Sequence, residues 1–208
     1  FRDMLVSYQF GMNMYTDAYK AAVSVPDTVF TIIGLAISTV FIPMLSKVKY
    51  EKNKDEMFKF SNNIISILLV ISIIAFTLGF IYTNNIVAFM FDGFSNEKFT
   101  LTVFLTRITL FNLLFLSINA CYIAMLQVCE DFVVPSILGM FFNASMIIYL
   151  LFFTDINIIG LTVANVIGNF LRVAVQLPVL YKHGYRFKLY INLKDERIKR
   201  ILILIIGR

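Results

Sequence analysis

The chain has 208 residues, of which 59% are hydrophobic and only 15% charged, and its mean hydropathy is +0.81. A soluble domain of this length carries far more charge and less apolar surface, so that class is excluded. The net charge of +5 comes from two basic loops rather than one basic face, which argues against a nucleic-acid partner.

The apolar residues fall in blocks, and residues 64–82, 108–128, 132–154 and 156–171 contain no charged side chain. About twenty residues cross a hydrocarbon core, so the expected fold is all-α, a polytopic transmembrane helix bundle. The predicted spans are a partial first helix at 1–11, a second at 16–45, a third at 60–82, a fourth at 99–127, a fifth at 132–154 and a sixth at 157–181. A seventh starts at 196–208. The chain opens on Phe1 rather than Met and closes on RILILIIGR, so it is expected to be part of a longer protein.

The first helix carries Arg2 and Asp3 and ends near Gly11; Thr16 or Asp17 can cap the second. That second span is long and greasy, yet it holds Asp17, Lys20 and Asp27. With Ser24, Thr28 and Thr31 they recur every three or four residues, one side of a helix. Charges near mid-bilayer cost a few kcal/mol even on lenient scales and normally face a bundle interior or a watery cavity. The second span is therefore read as having a wet face on a transport cavity. Pro26 is expected to bend it. The charged stretch 46–59 reads as a surface helix against lipid headgroups. The third span looks lipid-facing apart from Ser61, Asn62, Asn63 and Ser66 at its inner end.

On the fourth span Thr102, Thr109, Asn112 and Asn119 share one stripe. Arg107 lies opposite, either snorkelling or paired with another helix. Cys121 and Cys129 are separated by about 12 Å along a helix axis, too far for a disulfide, and read as buried thiols. In the fifth span Ser136, Gly139 and Asn143 mark the expected packed face. In the sixth, Gly160, Ala164 and Gly168 form a small-residue seam for close helix approach. Asn165, Asn169, Arg172 and Gln176 make a polar ridge beside it. That ridge is either interhelical hydrogen bonding or a cationic cavity wall. Tyr181, Tyr185 and Tyr190 form an interfacial belt, and His183 reads as an ordinary interfacial side chain. By the positive-inside rule the basic stretches 47–59 and 182–200 are cytoplasmic. There is no clustered acid pair, no metal-spaced His/Cys set and a single histidine, so neither an enzyme nor a metal or cofactor site is expected.

Four strings in order resemble the MurJ/MviN lipid II flippase family of the MOP exporter superfamily: RD followed by FG and TDAYKAAVSVP; AISTVFIP; LTRITLFNLLFLSINACYIAMLQVCEDFVVP; and QLPVLYKHGYRFKLYINLKDERIKRIL. The likeness covers essentially the whole chain. It implies a two-lobe transporter around a central cationic cavity, of which this chain is roughly the N-terminal, six-helix lobe. The family carries undecaprenyl-diphosphate-linked peptidoglycan precursor from the inner to the outer leaflet of the bacterial plasma membrane, a step of cell-wall biogenesis. Arg2 matches the family's first-helix arginine and Asp17 its acid opening the second helix. Phe30 and Thr31 stand where some members carry an arginine pair, and Phe111 where proline is common. The expected substrate-binding set is Arg2, Asp17, Lys20, Asp27, Asn165, Asn169 and Arg172. The alternative is another MOP-type exporter, of polyprenyl-linked oligosaccharide or of drugs coupled to a cation. Expected partners are the lipid-linked precursor, membrane lipids and the cell-wall elongation or division machinery. The coupling ion or potential stays open.

Overall fold

Apolar side chains at helical spacing, broken by Gly, Asn and Pro, translate into an all-helical chain. A computed structural model describes residues 2–11, 13–153 and 155–192. Along it lie α1 (Arg2–Phe10), α2 (Met14–Ala36), a π-helical stretch (Ile37–Phe41), α3 (Ile42–Glu51), α4 (Lys54–Ile81) and α5 (Thr83–Met90). There follow α6 (Asn96–Thr109), α7 (Asn112–Val128), α8 (Val133–Phe152) and α9 (Ile158–Lys182). Three of these helices, α4, α8 and α9, are long and apolar enough to cross a membrane. The pair α6 and α7, bent by 41° at their junction, qualifies together as a fourth. The protein is an all-α polytopic membrane bundle. The seventh helix expected at 196–208 lies outside the described residues.

Helix α2 continues as a helix through Pro26. Proline has no N–H to offer the carbonyl four residues back, here that of Ala22. The Thr109 hydroxyl, fully buried at the end of α6, donates to the Ala22 carbonyl at 2.7 Å. A backbone group freed inside the bundle is thus satisfied by a neighbouring helix, as a membrane interior would require. The expected fourth span breaks just beyond Thr109. There the amides of Phe111, Leu113 and Leu114 bond three residues back, to Ile108, Leu110 and Phe111, which tightens the backbone into the bend.

Helices α8 and α9 pack most intimately. Tyr149 sits on Gly160, and its hydroxyl bonds both the amide and the carbonyl of Asn157. The Ser145 hydroxyl donates to the Ala164 carbonyl at 3.0 Å. A Cβ added at Gly168 would stand 2.6 Å from Ser145 Oγ and 2.8 Å from Phe142 Cδ2. The small-residue seam of α9 is therefore used, but the partner face of α8 differs from the expected one. Gly139 has open space around it and Ser136 is exposed. The packed stripe is Phe142, Ser145, Met146 and Tyr149, because bulky groups and one hydroxyl fill the hollows that the α9 glycines leave.

At the basic end the largest apolar cluster gathers Phe41, Leu45, Met57, Ile65, Met125 and Tyr185. Tyr185, expected in an interfacial belt, is completely buried. It packs edge-on against Phe58 and Tyr122 and donates to Asn62 Oδ1 at 2.7 Å. Burial holds its phenol above the ordinary tyrosine range, so it remains a donor. The segment after α9 runs back along α4. Asn62 Nδ2 donates to the Arg186 carbonyl, Asn63 exchanges two bonds with the backbone of Asn192, and Ser66 Oγ accepts from the Tyr190 amide. The polar inner end of α4, the part excepted from the lipid-facing reading, is therefore covered by chain, while Ile73, Ile74, Leu78 and Ile81 on its outer half stay exposed. His183 is also more than an interfacial side chain, with Nε2 3.1 Å from Asp131 Oδ2 and Nδ1 3.4 Å from Lys54 Nζ. The charged stretch 46–59, expected as one surface helix, is divided between the end of α3 and the start of α4, where Asn53 caps the Glu56 amide. Cys121 and Cys129 are free thiols, as the spacing required.

Candidate functional site: a polar cavity between α1, α2, α8 and α9

The polar side of α2 opens onto a cavity of about 620 Å³. Thr16, Lys20, Ser24 and Asp27 line it at intervals of four, four and three residues, which carries one helix face about 16 Å along its axis. The opposite face of α2 holds Ala18, Ala22 and Val25, all buried against the bundle. That asymmetry fixes which side faces the cavity. Ser24, Thr28 and Thr31 return their hydroxyl protons to carbonyls of their own helix, so they cost nothing unsatisfied. Across from α2 stand Arg2, Asp3 and Ser7 of α1, Phe142 and Met146 of α8, and Asn165 of α9.

Arg2 is clasped by its neighbour, with Nε and Nη2 at 2.9 and 2.7 Å from Asp3 Oδ1. Its guanidinium also lies 5.7 Å from the centre of the Phe142 ring. Arg172 lies over the same ring at 4.3 Å and donates through Nη1 to Asn169 Oδ1 at 3.3 Å, while its buried Nε has no partner. The cavity lining holds two cations, Arg2 and Lys20, against two carboxylates, Asp3 and Asp27. The described lining is thus balanced in charge, and Arg172 beside Phe142 adds a further positive charge next to it.

Of the seven expected residues, Arg2, Lys20, Asp27 and Asn165 meet in the cavity. Arg172 adjoins it through Phe142, and Asn169 accepts from Arg172. Asp17 stands apart, its Oδ2 3.0 Å from Lys98 Nζ on α6, with Lys98 also 4.1 Å from the Phe94 ring. Asn165 plays both parts of the ridge's two readings. It lines the cavity, accepts from Asn112 Nδ2 at 2.9 Å and donates to Tyr19 Oη at 3.1 Å. Gln176, buried, donates through Nε2 to Asn119 Oδ1 of α7 and to the Arg172 carbonyl of its own helix, each at 2.8 Å. Arg107 makes no ion pair among the described residues; its guanidinium lies 5.4 Å from the Phe80 ring. Sequence reading missed Phe142, Met146 and Tyr19. A signal existed in the four-and-three spacing of Phe142, Met146 and Tyr149, but apolar stripes of that kind also face lipid.

The family model described as Lipid II flippase MurJ matches residues 6–207. The chain belongs to the MurJ lipid II flippase family. It is 31% identical over 185 residues to the probable lipid II flippase MurJ of Buchnera aphidicola subsp. Baizongia pistaciae, covering 86% of this chain and 36% of that protein. With the probable lipid II flippase MurJ of Rickettsia prowazekii it shares 27% identity over 207 residues, 97% of this chain and 41% of that one. Among solved structures it matches "Lipid II flippase MurJ, inward closed conformation" with a TM-score of 0.80 and 26% identity, over 99% of this chain and 43% of the other. The chain thus spans well under half the length of these relatives. Its fold matches part of a solved MurJ-family structure.

Proposed function

We propose that this chain is the N-terminal six-helix lobe of a lipid II flippase in the bacterial plasma membrane. Its cavity face would receive the diphosphate of an undecaprenyl-linked peptidoglycan precursor and pass it from the inner to the outer leaflet by alternating access. The observation that carries this reading is the meeting of Arg2, Lys20 and Asp27, drawn from two helices, in one polar cavity within a MurJ-family chain. A diphosphate in a low-dielectric site needs paired cations, and arginine offers it bidentate contacts. Asp3 holds Arg2 while no anion is present, and an incoming phosphate would compete for the same donors. Asp27 adds a second carboxylate to the same lining. The second lobe would close the far side of the cavity, and the two would rock about the bound head group. Catalysis has no part in this role.

The test is complementation of a flippase-depleted strain by the full-length protein. Arg2→Ala is expected to abolish growth at unchanged membrane levels, and Arg2→Lys to restore part of it. Full growth with both Arg2→Ala and Lys20→Ala overturns the assignment of this cavity.

A further inference from the structure

Two positive side chains from helices far apart in sequence converge on a single aromatic ring. Arg2 of α1 lies 5.7 Å from the Phe142 centroid and Arg172 of α9 lies 4.3 Å from it. Their guanidinium carbons are therefore no more than about 10 Å apart, with α8 supplying the ring they share. Like charges at that range inside a membrane repel. The ring's electron-rich face is what offsets this, since a guanidinium against an aromatic face is attracted by its quadrupole. Few polar groups share that task. Arg172 has one long hydrogen bond, to Asn169, and a buried Nε with no partner. Arg2 has Asp3, whose carboxylate is mostly exposed.

The ring itself is held. Its Cδ2 stands where a Cβ on residue 168 would be, 2.8 Å away, so only the glycine of the α9 seam lets α8 bring Phe142 to that depth. Phe142 also forms part of the cavity wall together with Arg2, Lys20 and Asp27.

We propose that Phe142 is a positioning residue for the diphosphate. Its ring orients Arg2 and Arg172 as one anion-binding pair and keeps them together while the site is empty. This rests on the transport reading above and adds to it the element that sets the spacing of the cations. A ligand phosphate takes up the free guanidinium N–H groups and competes with Asp3 for those of Arg2, while the ring keeps both cations at the site.

The experiment uses the full-length protein in lipid nanodiscs and two probes, inorganic diphosphate and undecaprenyl diphosphate. Phe142 is replaced by Leu, by Tyr, and by a series of ring-fluorinated phenylalanines that keep the shape while draining the ring's negative face. Phe142→Leu is expected to weaken binding of both probes about 5- to 30-fold, the weight of two cation–π contacts. Phe142→Tyr should stay within about threefold, and affinity should fall stepwise with fluorination at unchanged thermal stability. A flat fluorine series for both probes, or full affinity in Phe142→Leu, overturns the proposal. A graded response to inorganic diphosphate without binding of the lipid keeps the role of the ring and overturns the lipid reading. An unsubstituted protein that binds neither probe overturns both.

Discussion

Thr109→Val tests whether a side chain on one helix repairs the backbone of another. Valine keeps the shape of threonine and removes its hydroxyl, so the Ala22 carbonyl loses the 2.7 Å bond that stands in for the N–H missing at Pro26. Thr109 Oγ1 also lies 3.1 Å from the Thr106 carbonyl, but that carbonyl still accepts from the Leu110 amide, so its loss matters little. Hydrogen bonds between membrane helices average about 0.6 kcal/mol and reach about 1.7. A buried acceptor left bare costs about 1–3 kcal/mol. The expected loss is about 1–2 kcal/mol, toward the upper part of the range because Thr109 is fully buried. Pro26→Ala supplies an amide four residues beyond Ala22, so in that background Thr109→Val should cost less than about 0.5 kcal/mol. The measurement is a double-mutant cycle on reversible unfolding of the full-length protein in bicelles, with an expected coupling near 1 kcal/mol. Equal costs in the two backgrounds would refute the reasoning.

Asn112→Ala and Asn165→Ala should each lower stability, and their cycle should show about 0.6–1.7 kcal/mol of coupling, because Asn112 Nδ2 donates to Asn165 Oδ1 deep in the bundle. Only Asn165→Ala should also weaken diphosphate binding, since Asn165 lines the cavity and Asn112 does not. Gly160→Ala drives a methyl group into the Tyr149 hydroxyl and breaks its two bonds to Asn157, for a loss of about 1–3 kcal/mol in unfolding; no shift in the melting temperature would count against the α8–α9 contact. Tyr185→Phe removes the buried bond to Asn62 and should cost about 1 kcal/mol. Amide exchange should speed up across residues 186–192, and unchanged protection there would mean the segment is held by other contacts.

Much of this protein could be read from local chemistry. Long uncharged runs have one low-energy home, a bilayer, and there the backbone must bond to itself as helix. That logic yields the all-helical membrane bundle, the wet side of α2 and the glycine seam of α9. Each depends only on residues three or four apart and on the cost of sinking charge or polar backbone in hydrocarbon. Arg2, Lys20, Asp27 and Asn165 were legible as cavity residues for the same reason.

What escaped such reading depends on encounters between residues distant in the chain. Asp17 and Lys20 have the same local signature, yet Lys98 captures one and leaves the other to the cavity. Ser61, Asn62, Asn63 and Ser66 look like a polar fringe until residues 186–192 fold back and bond three of them. Phe142 carries no mark in its own helix that separates a ring facing acyl chains from one between two arginines. A side chain's neighbours along a helix follow from the helical repeat, but its partners across the bundle follow from how whole helices cross. That crossing is set by the summed fit of many contacts, so it emerges when the bundle is assembled and cannot be read from any single stretch.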